Sequence, residues 1–381
     1  MTRISMFGFT GSIGTQALSV IEKYQSKFEL DVIVCNKNIN LAVELIGRHN
    51  PKNVFVTDAD ARSEIMASCS SEINFFDSMH TLRQYLKLNK SDIYLSAVSS
   101  FDCIDLTIEA AKSGKKLLLA NKEALVVFGK QIMHECKQAK TEVIPIDSEH
   151  FSLFTALKNK DLSEISKIYL TASGGPFVGQ KLSELHNKTP EEALKHPNWD
   201  MGAKISVDSA TLVNKCFELI EAKHLFSLGP ELLDIKIHRQ SVIHSMLEFK
   251  DGSVEAQMSQ PSMIIPLAYG LLGGYSQDIK KDFSLDLLNR NIDLSLEQFP
   301  DDRKKLRDIT LDVMNSEDNS GLVFATLNDI AVKKFLNKKI KFGDIYNLIL
   351  DNYYLIDKKE VNSIQELESN RIEILNLIDG K

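Results

Sequence analysis

A short apolar run at residues 4–7 passes straight into Gly8-Phe9-Thr10-Gly11-Ser12-Ile13-Gly14, and from there into a helical stretch at residues 15–24. A G-x-x-G-x-x-G loop between a strand and a helix constrains the fold more than any other feature of the chain. Glycines let the backbone turn tightly and approach a pyrophosphate, and the following helix N-terminus supplies free N–H groups and partial positive charge. A glycine pattern alone also suits an ordinary strand–helix turn. Its position directly after a first strand favours the dinucleotide reading.

The rest of the first third repeats the alternation. Apolar runs at residues 29–35, 53–56, 73–76, 93–98, 116–120 and 143–146 are separated mostly by helical stretches. That pattern predicts a parallel sheet covered on both faces. From about residue 148 it changes. A strand at 165–170 runs into Ser173-Gly174-Gly175-Pro176, and 182–199 reads as helix and loop. Then come one long helix at 208–226, a strand at 235–238, and a hairpin of 242–249 with 254–258. Gly273-Gly274-Tyr275-Ser276 marks a boundary, 278–300 reads as a charged connector, and 301–377 is helical in spacing. The expected architecture is α/β. It has a Rossmann-like parallel-sheet domain (1–147), a central α+β domain (148–274), a connector (275–300) and a C-terminal α-helical bundle (301–381).

With 381 residues, two or three domains are the default. The net charge of −7 argues against a nucleic-acid binder. Cys35, Cys69, Cys103, Cys136 and Cys216 are scattered and never form C-x-x-C, which suits a reducing compartment and small buried thiols rather than structural zinc. No signal peptide or membrane span is read, so a cytoplasmic protein is expected.

At the end of the second strand, where NAD-binding folds place a ribose-binding carboxylate, stands Asn36-Lys37-Asn38. Nothing there repels a 2′-phosphate, and Lys37 can pair with one, so NADP is favoured over NAD. Asp147-Ser148-Glu149 follows the strand at 143–146, at the open edge of the sheet. Two carboxylates two apart in an extended segment point the same way and suit a hard cation, Mg²⁺ or Mn²⁺. The same residues serve equally as a helix N-cap before residues 151–157. In the helix expected from 208, Asn214, Lys215 and Glu218 share a face, and Ser209 lies near its start. Apolar neighbours nearly surround that face, so its polar groups need partners, and a ligand is one. Asn121, Lys122 and Glu123 follow another strand at the binding edge. His196-Pro197-Asn198-Trp199 places the sole tryptophan beside a histidine on a loop, where it can cover a ligand.

Taken together, G-F-T-G-S-I-G (8–14), L-A-N-K-E (119–123), P-I-D-S-E-H (145–150), S-G-G-P-F (173–177), H-P-N-W-x-M-G (196–202), K-I-S-V-D-S-A-T (204–211), N-K-x-x-E (214–218) and Q-S-V-I-H-S (240–245) resemble the 1-deoxy-D-xylulose 5-phosphate reductoisomerase family in residues and order. The resemblance implies NADPH- and metal-dependent rearrangement and reduction of 1-deoxy-D-xylulose 5-phosphate to 2-C-methyl-D-erythritol 4-phosphate. It implies metal ligation by Asp147, Glu149 and Glu218, with Lys122 assisting proton transfer or stabilising charge. Ser148, Ser173, Ser209, Asn214 and Lys215 would bind the substrate, the last four at its phosphate. His196 would contact it and Trp199 would cover it. Thr10, Gly11, Ser12 and Ile13 would hold the cofactor phosphates, with Lys37 and Asn38 at the 2′-phosphate and Asn36, Asn121, Glu123 and Gly202 completing the NADPH site. A homodimer is implied as well. Phe9 and Asn36 depart from the family, standing where a small residue and a glycine are usual. Two other readings remain open at this point: a metal-independent NADP-linked sugar-phosphate or semialdehyde dehydrogenase, and a non-catalytic NADP sensor.

Overall fold

The computed structural model describes residues 1–98 and 101–379, so the expected helical segment 301–381 ends in two residues outside those described. The chain divides into two compact units: Met1–Ala124 with Ile132–Asp147 and Ser262–Phe283, and Leu125–Gln131 with Ser148–Pro261 and Ser284–Lys381.

In the first unit the strands are β1 (Thr2–Phe7), β2 (Phe28–Cys35), β3 (Asn53–Val56), β4 (Asn74–Phe75), β5 (Ile93–Ser96), β6 (Lys116–Leu119) and β7 (Glu142–Pro145). Between them run α1 (Ser12–Lys23), α2 (Ile39–His49), α3 (Ala59–Ser68), α4 (Met79–Leu88), α5 (Ile104–Ala111) and α6 (Lys122–Ala139). The strands form one parallel sheet in the order β4-β3-β2-β1-β5-β6-β7. Ile4, Met6 and Phe7 of the central strand are buried, as a strand covered on both faces requires. The strand order reverses between β1 and β5, which places the glycine loop at the switch point where such sheets bind ligands. Low in the sheet, buried Asp31 accepts hydrogen bonds from Arg3 (2.6 Å), Tyr85 (2.9 Å), Asn53 and Ser91 (both 3.1 Å). This satisfied carboxylate ties β1, β2, β3, α4 and the approach to β5 together.

The chain continues through α7 (Ser148–Ala156), β8 (Ile165–Ala172), α8 (Pro190–Ala193), α9 (Ala203–Thr211), α10 (Val213–Phe226), β9 (Leu233–Ile237), β10 (Ile243–Phe249) and β11 (Val254–Met258). It then runs through α11 (Ile264–Leu272), α12 (Gln277–Phe283), β12 (Glu297–Gln298), α13 (Lys304–Asn315), α14 (Ser320–Leu336), α15 (Phe342–Tyr353) and α16 (Ile364–Asp379). The second sheet has the order β11-β10-β8-β9-β12, with β8 and β9 parallel and its other pairs antiparallel. The expected hairpin is β10–β11. Helix α10 packs on β8 and β9 and against α13, while α14 packs on α9, α15 and α16.

Several expectations differ from the structure, among them the extent of the first domain, because Leu125–Gln131 of the expected 1–147 lies in the second unit. The helix expected over 208–226 is two helices, broken at Leu212, whose φ of 68° is left-handed. The glycines at 273 and 274 do not separate two units, because Ser262–Phe283 lies wholly in the first. There α11 packs on α1, and the Tyr24 hydroxyl reaches Asp278 at 3.2 Å. The connector expected over 275–300 contains α12 and β12, and β12 pairs with β9.

Candidate active site

The glycine loop owes its shape to crowding. Gly8 has φ +93°, and a Cβ there would lie 2.5 Å from the Ala97 carbonyl oxygen just past β5. A Cβ on Gly14 would lie 2.3 Å from the Gly8 carbonyl oxygen. Gly11 has an ordinary φ of −80° as the N-cap of α1, and a Cβ there would meet nothing closer than 3.4 Å. The fold itself therefore leaves room for a side chain at this position. Gly11 and Ser12 are exposed and Thr10 and Ile13 half-buried, whereas the Phe9 side chain is fully buried. At the end of β2, Asn36, Lys37 and Asn38 are all exposed, and Asn38 also caps α2 by accepting from the Leu41 N–H at 3.4 Å.

Asn121 caps α6, its Oδ1 accepting from the Ala124 N–H at 3.1 Å, and Asn121 and Glu123 are both buried. The cap sets Lys122 at the first helical position. From there its ammonium donates to Asp147 Oδ2 at 3.0 Å.

Asp147 directly precedes α7, and Ser148 and Glu149 lie in that helix's first turn. The carboxylates are therefore not aligned by an extended segment, as the sequence suggested. They sit at a helix N-terminus, whose partial positive charge suits acids. Ser148 hydrogen-bonds to Glu149. On α10, Asn214 Nδ2 donates to Glu218 Oε1 at 2.6 Å. Lys215 Nζ bridges Glu218 Oε2 at 2.5 Å and Glu149 Oε1 at 2.7 Å. Lys215 and Glu218 are 3% and 1% exposed, so the polar face read from the sequence is a buried one. One oxygen from each of Asp147, Glu149 and Glu218 lies within 4.8 Å of the other two. Two oxygens on one Mg²⁺ stand at most about 4.2 Å apart, twice a bond of about 2.1 Å. A hard divalent cation therefore fits this all-oxygen set after a closure of less than about 1 Å, and zinc, which prefers nitrogen and sulfur, does not match it.

Ser209 is in the last turn of α9, not on the helix that carries Asn214 and Lys215. Gly175, at φ +65°, packs so closely on that turn that a Cβ would lie 2.8 Å from the Ser209 carbonyl oxygen. This close approach brings the Ser173 loop to Ser209. Ser173 Oγ lies 2.8 Å from His196 Nε2 and accepts from the Gly175 N–H at 3.1 Å. His196 Nδ1 accepts the N–H groups of Asn198 and Trp199 at 3.2 and 3.1 Å. Burial, and then the Lys215 charge, push the His196 imidazole down to about 4, so it is neutral near pH 7. Trp199 is half-buried, its indole edge-on to the buried His244 at 6.4 Å. Gly202 caps α9 with open space around its α-carbon.

Sequence reasoning missed the Leu212 break, the seat of Trp199 on His244, and the closeness of Gly175 to α9. Leucine gives no turn signal, so nothing local announces the break. The S-G-G-P stretch pointed to an irregular loop, but not to its contact.

A family model described as 1-deoxy-D-xylulose 5-phosphate reductoisomerase matches residues 4–129. One for that enzyme's C-terminal domain matches residues 143–226, and one described as DXP reductoisomerase C-terminal domain matches residues 258–373. The chain is 38% identical over 377 residues to the 1-deoxy-D-xylulose 5-phosphate reductoisomerase of Clostridium tetani, covering 96% of each chain. It is 34% identical over 385 residues to that of Pelagibacter ubique, covering 100% of this chain and 97% of the relative. Among solved structures, the reductoisomerase from Zymomonas mobilis in complex with NADPH superposes with a TM-score of 0.85 at 29% identity over the whole of both chains. A DOX-P reductoisomerase in complex with NADPH, fosmidomycin and magnesium does so with a TM-score of 0.88 at 28% identity, over 100% of this chain and 98% of that one.

Proposed function

The chain belongs to the 1-deoxy-D-xylulose 5-phosphate reductoisomerase family, and we propose the residue roles by which it performs that family's reaction. The reaction is the NADPH- and divalent-metal-dependent conversion of 1-deoxy-D-xylulose 5-phosphate to 2-C-methyl-D-erythritol 4-phosphate. The substrate first rearranges to a branched aldehyde of the same composition. Hydride from NADPH and one proton then reduce the aldehyde. The observation that carries the assignment of roles is the cluster of Asp147, Glu149 and Glu218 with Lys122 and Lys215 bonded into it.

In this reading Asp147, Glu149 and Glu218 hold Mg²⁺ or Mn²⁺. The metal supplies Lewis acidity toward the substrate's carbonyl and neighbouring hydroxyl oxygens. Lys122 Nζ, held against Asp147, gives a proton or a charge-assisted hydrogen bond to the oxygen that becomes anionic. Ser148 contributes a hydroxyl beside Glu149. Ser173, Ser209, Asn214 and Lys215 receive the phosphate, with Lys215 supplying the charge. His196 is neutral, orients Ser173, and meets the substrate. Trp199 covers the site and excludes water.

Thr10, Gly11, Ser12 and Ile13 cradle the NADPH pyrophosphate at the start of α1. Lys37 and Asn38 take the 2′-phosphate, and Asn36, Asn121, Glu123 and Gly202 complete the cofactor contacts. The parallel-sheet unit then binds NADPH, and the second unit carries Glu149, Glu218 and the residues that receive the phosphate. A cytoplasmic homodimer agrees with five scattered cysteines and with exposed Leu287, Leu288, Leu294 and Leu296. Among the described residues no helix is long and apolar enough to cross a membrane.

The test is NADPH oxidation by the purified protein with 1-deoxy-D-xylulose 5-phosphate, with Mg²⁺ or Mn²⁺ and then with chelator. Metal-dependent oxidation is expected. Oxidation that persists in chelator would remove the carboxylate cluster from the mechanism.

A further inference from the structure

We propose that Asn328 of α14 and Tyr346 of α15 are positioning residues for the phosphate end of the site. They lock the break between α9 and α10 that aims Ser209, Asn214 and Lys215 at one anionic group. The inference rests on the phosphate-binding role given to those three residues above.

The break itself demands outside support. Leu212 is left-handed, at φ 68° and ψ 4°, a conformation that costs any side chain with a Cβ. Interrupting a helix also orphans backbone groups on both sides. The Thr211 carbonyl, at the end of α9, accepts from the Tyr346 hydroxyl at 2.9 Å in a buried contact. On the other side, the Val213 N–H reaches Thr211 Oγ1 at 3.4 Å. Burial pushes the Tyr346 phenol up to about 12, so it stays a donor throughout the working range.

The second support is one turn earlier. Asp208 is 3% exposed, and both its oxygens are taken. Oδ2 accepts from Lys204 at 3.0 Å and Oδ1 from Asn328 Nδ2 at 2.7 Å. Asn328 is fully buried, and its own Oδ1 has no partner. The orphan oxygen is a cost that the amide carries in order to satisfy the buried Asp208 carboxylate. What the amide does, and an apolar residue cannot, is hold Asp208 in place. Ser209 is the next residue.

The arrangement leaves α9 no freedom to slide. Gly175 abuts the Ser209 carbonyl and the Ala210 Cα, so a shift of that turn would change the spacing from Ser173 to Ser209. The Leu212 carbonyl begins α10, accepting from the Lys215 and Cys216 N–H groups at 3.2 and 3.3 Å. The same break thus sets the start of the helix that carries Asn214 and Lys215. Groups converging on one ligand tolerate little misplacement, and about 1 Å can cost on the order of a hundredfold.

The test compares full-length wild type, Tyr346→Phe and Asn328→Ala with saturating Mg²⁺ and NADPH. The substrates are 1-deoxy-D-xylulose 5-phosphate and unphosphorylated 1-deoxy-D-xylulose. Each variant is expected to raise KM for the phosphorylated substrate by about fivefold or more, with kcat and the KM for NADPH within about twofold. Preference for the phosphorylated substrate should shrink by the same factor. Tyr346→Phe is nearly isosteric, so it decides the matter if Asn328→Ala does not fold. An unchanged KM and preference in folded Tyr346→Phe would overturn the proposal. So would a parallel fall in kcat and rise in both KM values, which marks general loosening. A wild type that used both substrates equally would overturn the phosphate reading itself, and the inference with it.

Discussion

Ser173 Oγ accepts its hydrogen bond from His196 Nε2–H, because His196 Nδ1 is already committed to accepting two backbone N–H groups. That fixes the tautomer. With the Gly175 N–H also on its oxygen, Ser173 has its hydroxyl proton left to give to an anion. Ser173→Ala should therefore raise KM for the sugar phosphate on the order of tenfold to a hundredfold, the value of a hydrogen bond to a charged group, with kcat nearly kept. Steady-state kinetics check this. A fall in kcat alone would place Ser173 nearer the reacting carbons.

Acid should weaken the fold through two histidines. Burial holds the His196 and His224 imidazoles at about 4, against an ordinary value of 6.5. Between those values the unfolded chain binds protons that the folded chain refuses. Their contribution to stability is thus complete above about pH 6.5 and is lost as the pH falls toward about 4. Urea unfolding at a series of pH values should show this slope, and His224→Gln should reduce it. A midpoint that rises on acidification would contradict the assignment.

Lys37→Ala should weaken NADPH far more than NADH, because only the former carries a 2′-phosphate. Losing one charge-assisted contact is worth about 1.5–3 kcal/mol, or roughly tenfold to a hundredfold in Kd. Titration of both nucleotides by fluorescence decides it. Equal losses would put the 2′-phosphate elsewhere.

Glu218→Ala should abolish metal-dependent turnover while leaving NADPH affinity nearly unchanged. Its carboxylate belongs to the buried cluster with Lys215 and Asn214, whereas the proposed pyrophosphate cradle is the loop before α1. NADPH binding and turnover should be measured on the same preparation. A matching loss of both would make Glu218 a structural residue.

Two loop glycines should fail in different ways. A Cβ on Gly14 would collide with backbone that cannot give way, so Gly14→Ala should cost about 1–3 kcal/mol of stability. Gly11→Ala finds room in the fold. It should leave Tm unchanged and weaken NADPH, because in the proposed cradle the added methyl would stand where the pyrophosphate approaches. Thermal melts with and without NADPH separate the two, and a lower Tm for Gly11→Ala without cofactor would refute the distinction.

Much of this was legible along the chain, because the signals are local. Alternating apolar strands and helices, with glycines after β1, suffice for a parallel sheet and the tight loop that follows its central strand. The shared face of Asn214, Lys215 and Glu218 follows from helical spacing alone, and apolar neighbours on α10 announced its burial. Where residues fold as one regular element, period and composition carry the information.

Tertiary structure decided the rest, because the forces responsible come from residues distant in sequence. Leu212 breaks its helix, and the carbonyl orphaned at Thr211 is taken by Tyr346, 135 positions from Thr211. Asp147 and Glu149 meet Glu218 through the start of α7, not through an extended strand, and that geometry depends on where α10 packs. Gly273-Gly274 looked like a boundary, yet burial of α11 against α1 keeps the segment within the first unit. Local propensity proposes elements, and burial and hydrogen bonding between distant segments determine where they end and which side chains meet.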